Sequence, residues 1–215
     1  MKPIVIATGN PHKLEEYTAL LPGLPLTSLA QFSPMGEVDE NADTFGANAA
    51  IKALAAQAHT GHISLSDDSG IEVEALGWGP GIRSARYAPG NDADRVRALL
   101  AAMEGKKHRT ARFTCAIAVA GLDRITADPM IEACEDLGDF VTWISGCLVV
   151  HGRVEGAITH EPRGQNGFGY DPIFELSDGR TTAEISAGEK RALSHRGCAA
   201  RRIRPFINTL FSLTP

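Results

Sequence analysis

The sequence predicts a mixed α/β fold, a sheet with flanking helices organised as two lobes. Two observations carry that prediction. In the first half, short apolar or β-branched runs alternate with helical patterns, and in the second half strands dominate and two of them adjoin as a hairpin. A third sets the scale: 215 residues, 43% hydrophobic and 22% charged, are ordinary for one domain or a compact two-lobed unit, which excludes disorder, collagen and coiled coil.

Residues 2–7 read as a short buried strand. Asn10 followed by Pro11 has the form of a helix N-cap with proline at the first helical position, so a helix follows to about residue 21. Residues 22–36 make a Pro- and Gly-bearing connection with a strand at 24–29. Thr44 caps a helix over 45–59 that is nearly all small and apolar. Residues 62–66 and 71–76 read as two strands, with Ser66-Asp67-Asp68-Ser69-Gly70 forming a turn between them. A glycine-bearing loop over 77–90 leads to a helix over 91–103 that Gly105 ends. Residues 112–120 form a strand, and 143–150 and 153–158 form a hairpin turned at His151-Gly152. After a glycine-rich loop over 162–172, Ser186 and Glu189 supply the capping pattern that opens a C-terminal helical region. No repeat or linker divides the chain, so residues 1–215 are expected to form one two-lobed domain.

Composition removes several classes of function. No apolar run approaches the roughly 18 residues of a membrane-spanning helix, and the apolar stretch at the N-terminus is too short for a signal peptide, so a soluble cytoplasmic protein is expected. The four cysteines show no C-x-x-C pair and no histidine at zinc spacing, so reduced and mostly buried thiols are expected. A formal charge of -5 argues against binding a nucleic acid polymer, which phosphate neutralisation drives. The distribution matters more than the sum. Residues 1–82 hold three basic side chains against ten acids, whereas residues 186–215 hold six against one. Such a division suits a site that takes both a metal ion and a small polyanion.

Four stretches could carry that chemistry. Thr8-Gly9-Asn10 with Lys13 stands between a strand and a helix, where free N–H groups, the helix dipole and a lysine favour an anion, although the spacing is not that of a Walker loop. Lys52 is the only ionisable residue between Asp43 and His59 and shares a stripe with Phe45, Ala49 and Ala56, so its ammonium should be partly buried and need an anion. Asp67 and Asp68 supply that charge. On a strand they point to opposite faces, so one carboxylate can bind Mg²⁺ while the other caps the turn, and Glu40 can be a second ligand. Gly164 to Phe174 joins aromatic faces, glycines and Asp171 into a slot suited to a flat base. Lys190, His195 and Arg196 add donors for carbonyl or phosphate oxygens.

Six motifs in order then resemble one family, the non-canonical purine nucleoside triphosphate pyrophosphatases, also called inosine/xanthosine triphosphatases or Ham1-like proteins. They are T-G-N-x-x-K at 8–13, N-A-x-x-K-A at 48–53, S-D-D-S-G at 66–70, P-G-I-x-S-A-R-Y at 80–87, G-F-G-Y-D-P-I-F at 167–174 and S-H-R-G at 194–197. The resemblance implies Mg²⁺-dependent hydrolysis of ITP, dITP or XTP to the monophosphate and pyrophosphate, which cleans the nucleotide pool. It also implies a homodimer with the active site in a cleft between two lobes. By motif match, Asp68 would be catalytic and bind metal, Lys52 would hold phosphate and organise the carboxylates, and Glu40 would complete the metal site. Thr8, Gly9, Asn10 and Lys13 would hold the triphosphate, with Ser69 and Arg86 nearby. Phe168, Gly169, Tyr170 and Asp171 would form the base slot, and Lys190, His195 and Arg196 would read the 6-oxo group and its neighbourhood.

Two departures stand out. Ala47 occupies a place where the family commonly has glutamate, and residues 121–141 insert a Pro- and acid-containing stretch, expected to be a surface excursion. Two other readings compete with this one: a Maf-like nucleotide pyrophosphatase with another base preference, and a nucleotide-binding sensor without catalysis.

Overall fold

The structure is a computed structural model that describes residues 3–8, 11–122 and 140–212. It is mixed α/β. Strands β1 (Ile4–Ile6), β2 (Leu26–Ser28), β3 (Ser64–Val73), β4 (Gly79–Pro80), β5 (Thr110–Ala120), β6 (Val141–Ile144), β7 (Cys147–Ile158) and β8 (Phe174–Glu175) form one sheet. Its order is β2-β1-β3-β5-β7-β6, with β4 on β3 and β8 on β7. β1 pairs in parallel with β2 and β3, whereas β3–β4, β6–β7 and β7–β8 are antiparallel. The helices are α1 (Pro11–Leu20), α2 (Phe45–Thr60), α3 (Asp92–Ala102), α4 (Ala187–Leu193) and α5 (His195–Ser212). Among the described residues, no helix is long and apolar enough to cross a membrane.

The chain forms two compact units, each with its own core. The first comprises Met1–Asp68, Cys115–Gly152 and Cys198–Pro215; the second comprises Ser69–Thr114 and Arg153–Gly197. The first buries Ile4, Ile6, Tyr17, Leu65, Ile117, Leu148 and Ile203 together. The second buries Ile71, Leu99, Phe113, Ile173 and Phe174. The boundaries fall inside β3, β5, β7 and α5, so no linker joins the units.

Local chemistry explains the helix starts. The Thr44 hydroxyl accepts from the Ala47 amide to cap α2, and Gly61 closes that helix in a left-handed conformation, φ 68°. Asn91 with Asp94 and Ser186 with Glu189 both complete capping boxes, for α3 and α4. Asn10, expected to cap α1, lies outside the described residues, as does most of the 121–141 stretch.

Two sequence expectations need correction. The Ser66–Gly70 segment is not a turn: β3 runs straight through it. Its polar side chains have partners within the fold, including Asp67 with Lys13 and Asp68 with Asn48, so nothing forces the strand to end there. The hairpin turns at Ser145-Gly146, not at His151-Gly152, which β7 includes. Ser145 and Gly146 both take positive φ, 50° and 84°, the backbone that a two-residue hairpin turn requires.

Candidate active site

In the first unit the site is built on strand alternation. Asp67 and Asp68 are neighbours on β3 and therefore face opposite sides of the sheet. Asp67 takes the α1 side, where its carboxylate meets the Lys13 ammonium at 3.0 Å and the Cys115 thiol at 3.9 Å. Its side chain is 1% exposed, so the expected role of capping a turn does not hold; it is a buried partner that fixes Lys13.

Asp68 takes the α2 side. Asn48 donates from Nδ2 to its Oδ2 at 3.2 Å, and the Lys52 ammonium lies 4.0 Å from its Oδ1 and 2.6 Å from Glu40 Oε2. One lysine thus stands between two carboxylates. The α2 segment can bring Lys52 this close because the residues around it are small: Ala49, Ala53 and Ala56 are fully buried and let the helix sit tight on its neighbours. Burial raises the Asp68 pKa above the usual carboxylate range; Lys52, then Asn48 and Lys13, oppose that shift without cancelling it.

The donor set fits Mg²⁺. Asp68 and Glu40 present hard carboxylate oxygens beside one ammonium, and their side chains keep 15% and 34% exposure. Magnesium usually takes one or two protein carboxylates and fills its octahedron with water and phosphate oxygens. Among the described residues, no group of three or more His, Cys, Asp or Glu is placed to hold a metal ion, so the protein would offer at most these two carboxylates.

The second unit holds a separate cluster. The loop 164–171 is drawn together by Asp171, whose Oδ2 accepts from the Phe168 amide at 2.8 Å and pairs with the Lys190 ammonium, while Oδ1 accepts from the Thr182 hydroxyl at 2.9 Å. The Phe168 ring is approached by Lys190 Nζ, 4.7 Å from its centroid, and by the Arg196 guanidinium at 5.9 Å. Arg196, almost wholly buried, donates to the Ser69 hydroxyl at 3.1 Å. His195 stacks on Phe113, with centroids 4.7 Å apart and planes 16° off parallel.

Gly167 is required by that arrangement. Its φ is 78°, and a Cβ there would overlap the Asp171 carboxylate and lie 3.0 Å from Lys190 Nζ. Gly167→Ala is expected to lower fold stability by about 1–3 kcal/mol through backbone strain and the displaced ion pair; thermal denaturation checks it, and an unchanged midpoint would contradict the geometry.

The model of the Ham1 family matches residues 4–206. The chain belongs to the Ham1 family. A dITP/XTP pyrophosphatase of Parasynechococcus marenigrum is 43% identical over the full length of both chains. One of Symbiobacterium thermophilum is 43% identical over 94% of this chain and 92% of its own. Among solved structures, a HAM1 protein from Coxiella burnetii superposes with TM-score 0.80 at 38% identity, covering 97% of this chain and 100% of that one. The Staphylococcus aureus Ham1 protein gives 0.79 at 32% with the same coverage.

The Ham1 motifs lie in both units. The first contains Thr8, Lys13, Glu40, Lys52 and Asp68, and the second contains Ser69, Phe168, Lys190, His195 and Arg196. Gly9 and Asn10 lie outside the described residues. Arg86 is exposed at the end of a short 3₁₀ segment. Tyr170, expected to line the base slot, is instead 5% exposed in the second core, and its hydroxyl donates to the Ser84 carbonyl at 2.8 Å. Asp171 holds the loop from inside, with both carboxylate oxygens already accepting hydrogen bonds. Asn48, Phe113 and Thr182 are not singled out by the sequence reading. Asn48 stands at the head of a matching motif, which was the one available signal; the others sit in apolar or polar strands and loops that look ordinary.

Proposed function

We propose that this Ham1 protein hydrolyses the purine nucleoside triphosphates ITP, dITP and XTP to the monophosphate and pyrophosphate. The observation that carries the reading is Asp68: a desolvated carboxylate held by Asn48 and facing a lysine that Glu40 also binds. Such a group accepts the proton of a water that attacks the α-phosphorus, as the bond to the pyrophosphate oxygen breaks. Lys52 holds the phosphate end and balances the charge on its oxygens, with Lys13 of α1 and, by motif match, Thr8, Gly9 and Asn10 as further phosphate contacts. Asp68 and Glu40 would hold Mg²⁺, which would supply a Lewis acid for the negative charge that develops on phosphoryl oxygens.

The base belongs to the second unit's cluster. Phe168 offers its face and Gly169 lets the backbone approach, while Lys190, His195 and Arg196 present donors, with Ser69 positioned by Arg196. A 6-oxo group accepts from such donors. The 6-amino group of adenine is itself a donor and would leave them unpaired, a mismatch that discriminates strongly when the donors are buried. Tyr170 and Asp171 serve this slot by building its frame.

A homodimer, a cytoplasmic location and the single two-lobed domain over 1–215 belong to the same reading, which the family membership supports. Sedimentation of the purified chain tests the dimer. The reaction is tested by incubating the protein and Mg²⁺ with ITP, dITP, XTP, ATP, GTP and dTTP separately and quantifying monophosphate, pyrophosphate and phosphate. Pyrophosphate release confined to the first three is the expected result. Turnover centred on dTTP would favour a Maf-like preference; ITP binding without turnover would make the chain a sensor.

A further inference from the structure

The frame of the base slot has a tether outside every matching motif. Gly169 has φ 62°, and a Cβ there would meet nothing within 4 Å, so the backbone at that point borders open space. A cavity of about 400 Å³, lined by Asp92, Val96, Phe168, Gly169 and Pro172 among others, lies against the same stretch. At that open point, hydrogen bonds to the backbone amides help to set the position of the loop. Two carboxylates supply them. The Phe168 amide is held from within the loop by Asp171 at 2.8 Å, and the Gly169 amide is held from outside it, by Asp92 Oδ2 at 2.7 Å.

Asp92 is a fixed anchor. It is the first residue of α3, which begins with the Asn91–Asp94 capping box, and its other carboxylate oxygen pairs with Arg95 one turn on. A carboxylate in that first turn is also favoured by the helix dipole. The group that reaches Gly169 is therefore held by a helix start rather than by another loop, 77 residues away in sequence.

We propose that Asp92 is a positioning residue for base recognition: by holding the Gly169 amide it fixes the Phe168 ring against the base. The proposal rests on the reading of Phe168 as the base platform. Asp92 makes no contact with substrate in this scheme. Its effect is on the Michaelis constant, because a loose platform weakens binding while Asp68 and Lys52 are untouched.

The test combines steady-state kinetics on ITP with amide hydrogen exchange at Gly169 by NMR, for Asp92→Ala, Asp92→Asn and Phe168→Ala at a temperature well below their unfolding. Removing one hydrogen bond to a partly exposed carboxylate should raise KM about three- to tenfold with kcat little changed, and should speed exchange at Gly169. Asparagine keeps an acceptor oxygen at the same reach and should restore both. If Phe168→Ala raises KM and Asp92→Ala does not, Asp92 is no positioning residue and the platform reading stands. If Phe168→Ala leaves KM unchanged, the platform reading fails and takes the proposal with it. Loss of kcat and thermal stability in Asp92→Ala, unrescued by asparagine, would mean that Asp92 only starts a helix. Should Asp92→Ala not fold, Asp92→Ser, which suits a helix start but cannot reach Gly169, replaces it.

Discussion

Asp68→Asn should abolish turnover, lowering kcat by roughly 10²–10⁴-fold, and should at the same time raise the thermal midpoint of the metal-free protein at neutral pH. Both effects come from one carboxylate. Burial raises its pKa in the folded state, against the pull of Lys52, Asn48 and Lys13. The folded chain therefore takes up this proton at a higher pH than the unfolded chain does. The corresponding stability is fully present below the unfolded value and is lost as pH rises through the folded one, so at neutral pH the ionised group costs stability. Asparagine carries no charge to desolvate and keeps an oxygen for the Asn48 amide to reach. The gain in midpoint should shrink as the melts are taken to acid pH. Melts in EDTA across that range, with ITP turnover at neutral pH, test both halves. Normal turnover would remove Asp68 from the chemistry, and a midpoint that falls on substitution would show that the carboxylate stabilises the fold.

The second large effect is expected at Lys190. Its ammonium pairs with Asp171, whose side chain is only 4% exposed. Lys190→Met would leave that carboxylate with the Phe168 amide and the Thr182 hydroxyl and no counter-charge. Breaking a buried pair from one side usually costs about 3–5 kcal/mol, because the remaining charge is stranded. For a chain of this length that corresponds to a midpoint lower by roughly 6–20 °C. The double variant Lys190→Met with Asp171→Asn should regain most of the stability, since no charge is left unpaired, yet should still bind ITP poorly because a donor beside Phe168 is gone. Recovery of both stability and KM in the double variant would confine Lys190 to a structural role.

Much of this was legible in the sequence, for physical reasons that differ by residue. Lys52 announced itself because a lone charge on an alanine-rich helix needs an anion, and the anions are there. The capping residues Thr44, Asn91 and Ser186 act locally, so their sequence pattern and their geometry coincide. Asp67 reads as part of a turn because Asp, Ser and Gly together look like one; partners from other elements, Lys13 for Asp67 and Asn48 for Asp68, let β3 absorb them. Ser145-Gly146 lost to His151-Gly152 because both pairs contain a glycine, and register depends on which backbone the sheet accepts. Tyr170 lies two residues from Phe168 in a single motif, yet Gly169 between them takes φ 62° and the chain is not extended, so Tyr170 turns into the core. Position 47 is more informative now that the helix start is known. It is the third residue of α2, the place from which an acid would return a bond to the cap, so Ala47 leaves Thr44 capping alone.

The division of the two units has a consequence for how the chain is made. The first unit draws its core from three separated stretches, and Ala199, Ile203 and Phe206 of α5 are part of it. On a ribosome, Ile4 and Leu65 therefore emerge long before the helix that completes their burial. The second unit closes earlier, since its last segment ends at Gly197. Synthesis thus leaves the nascent first core open until nearly the whole described chain is out, a window in which holdase chaperones have apolar surface to bind.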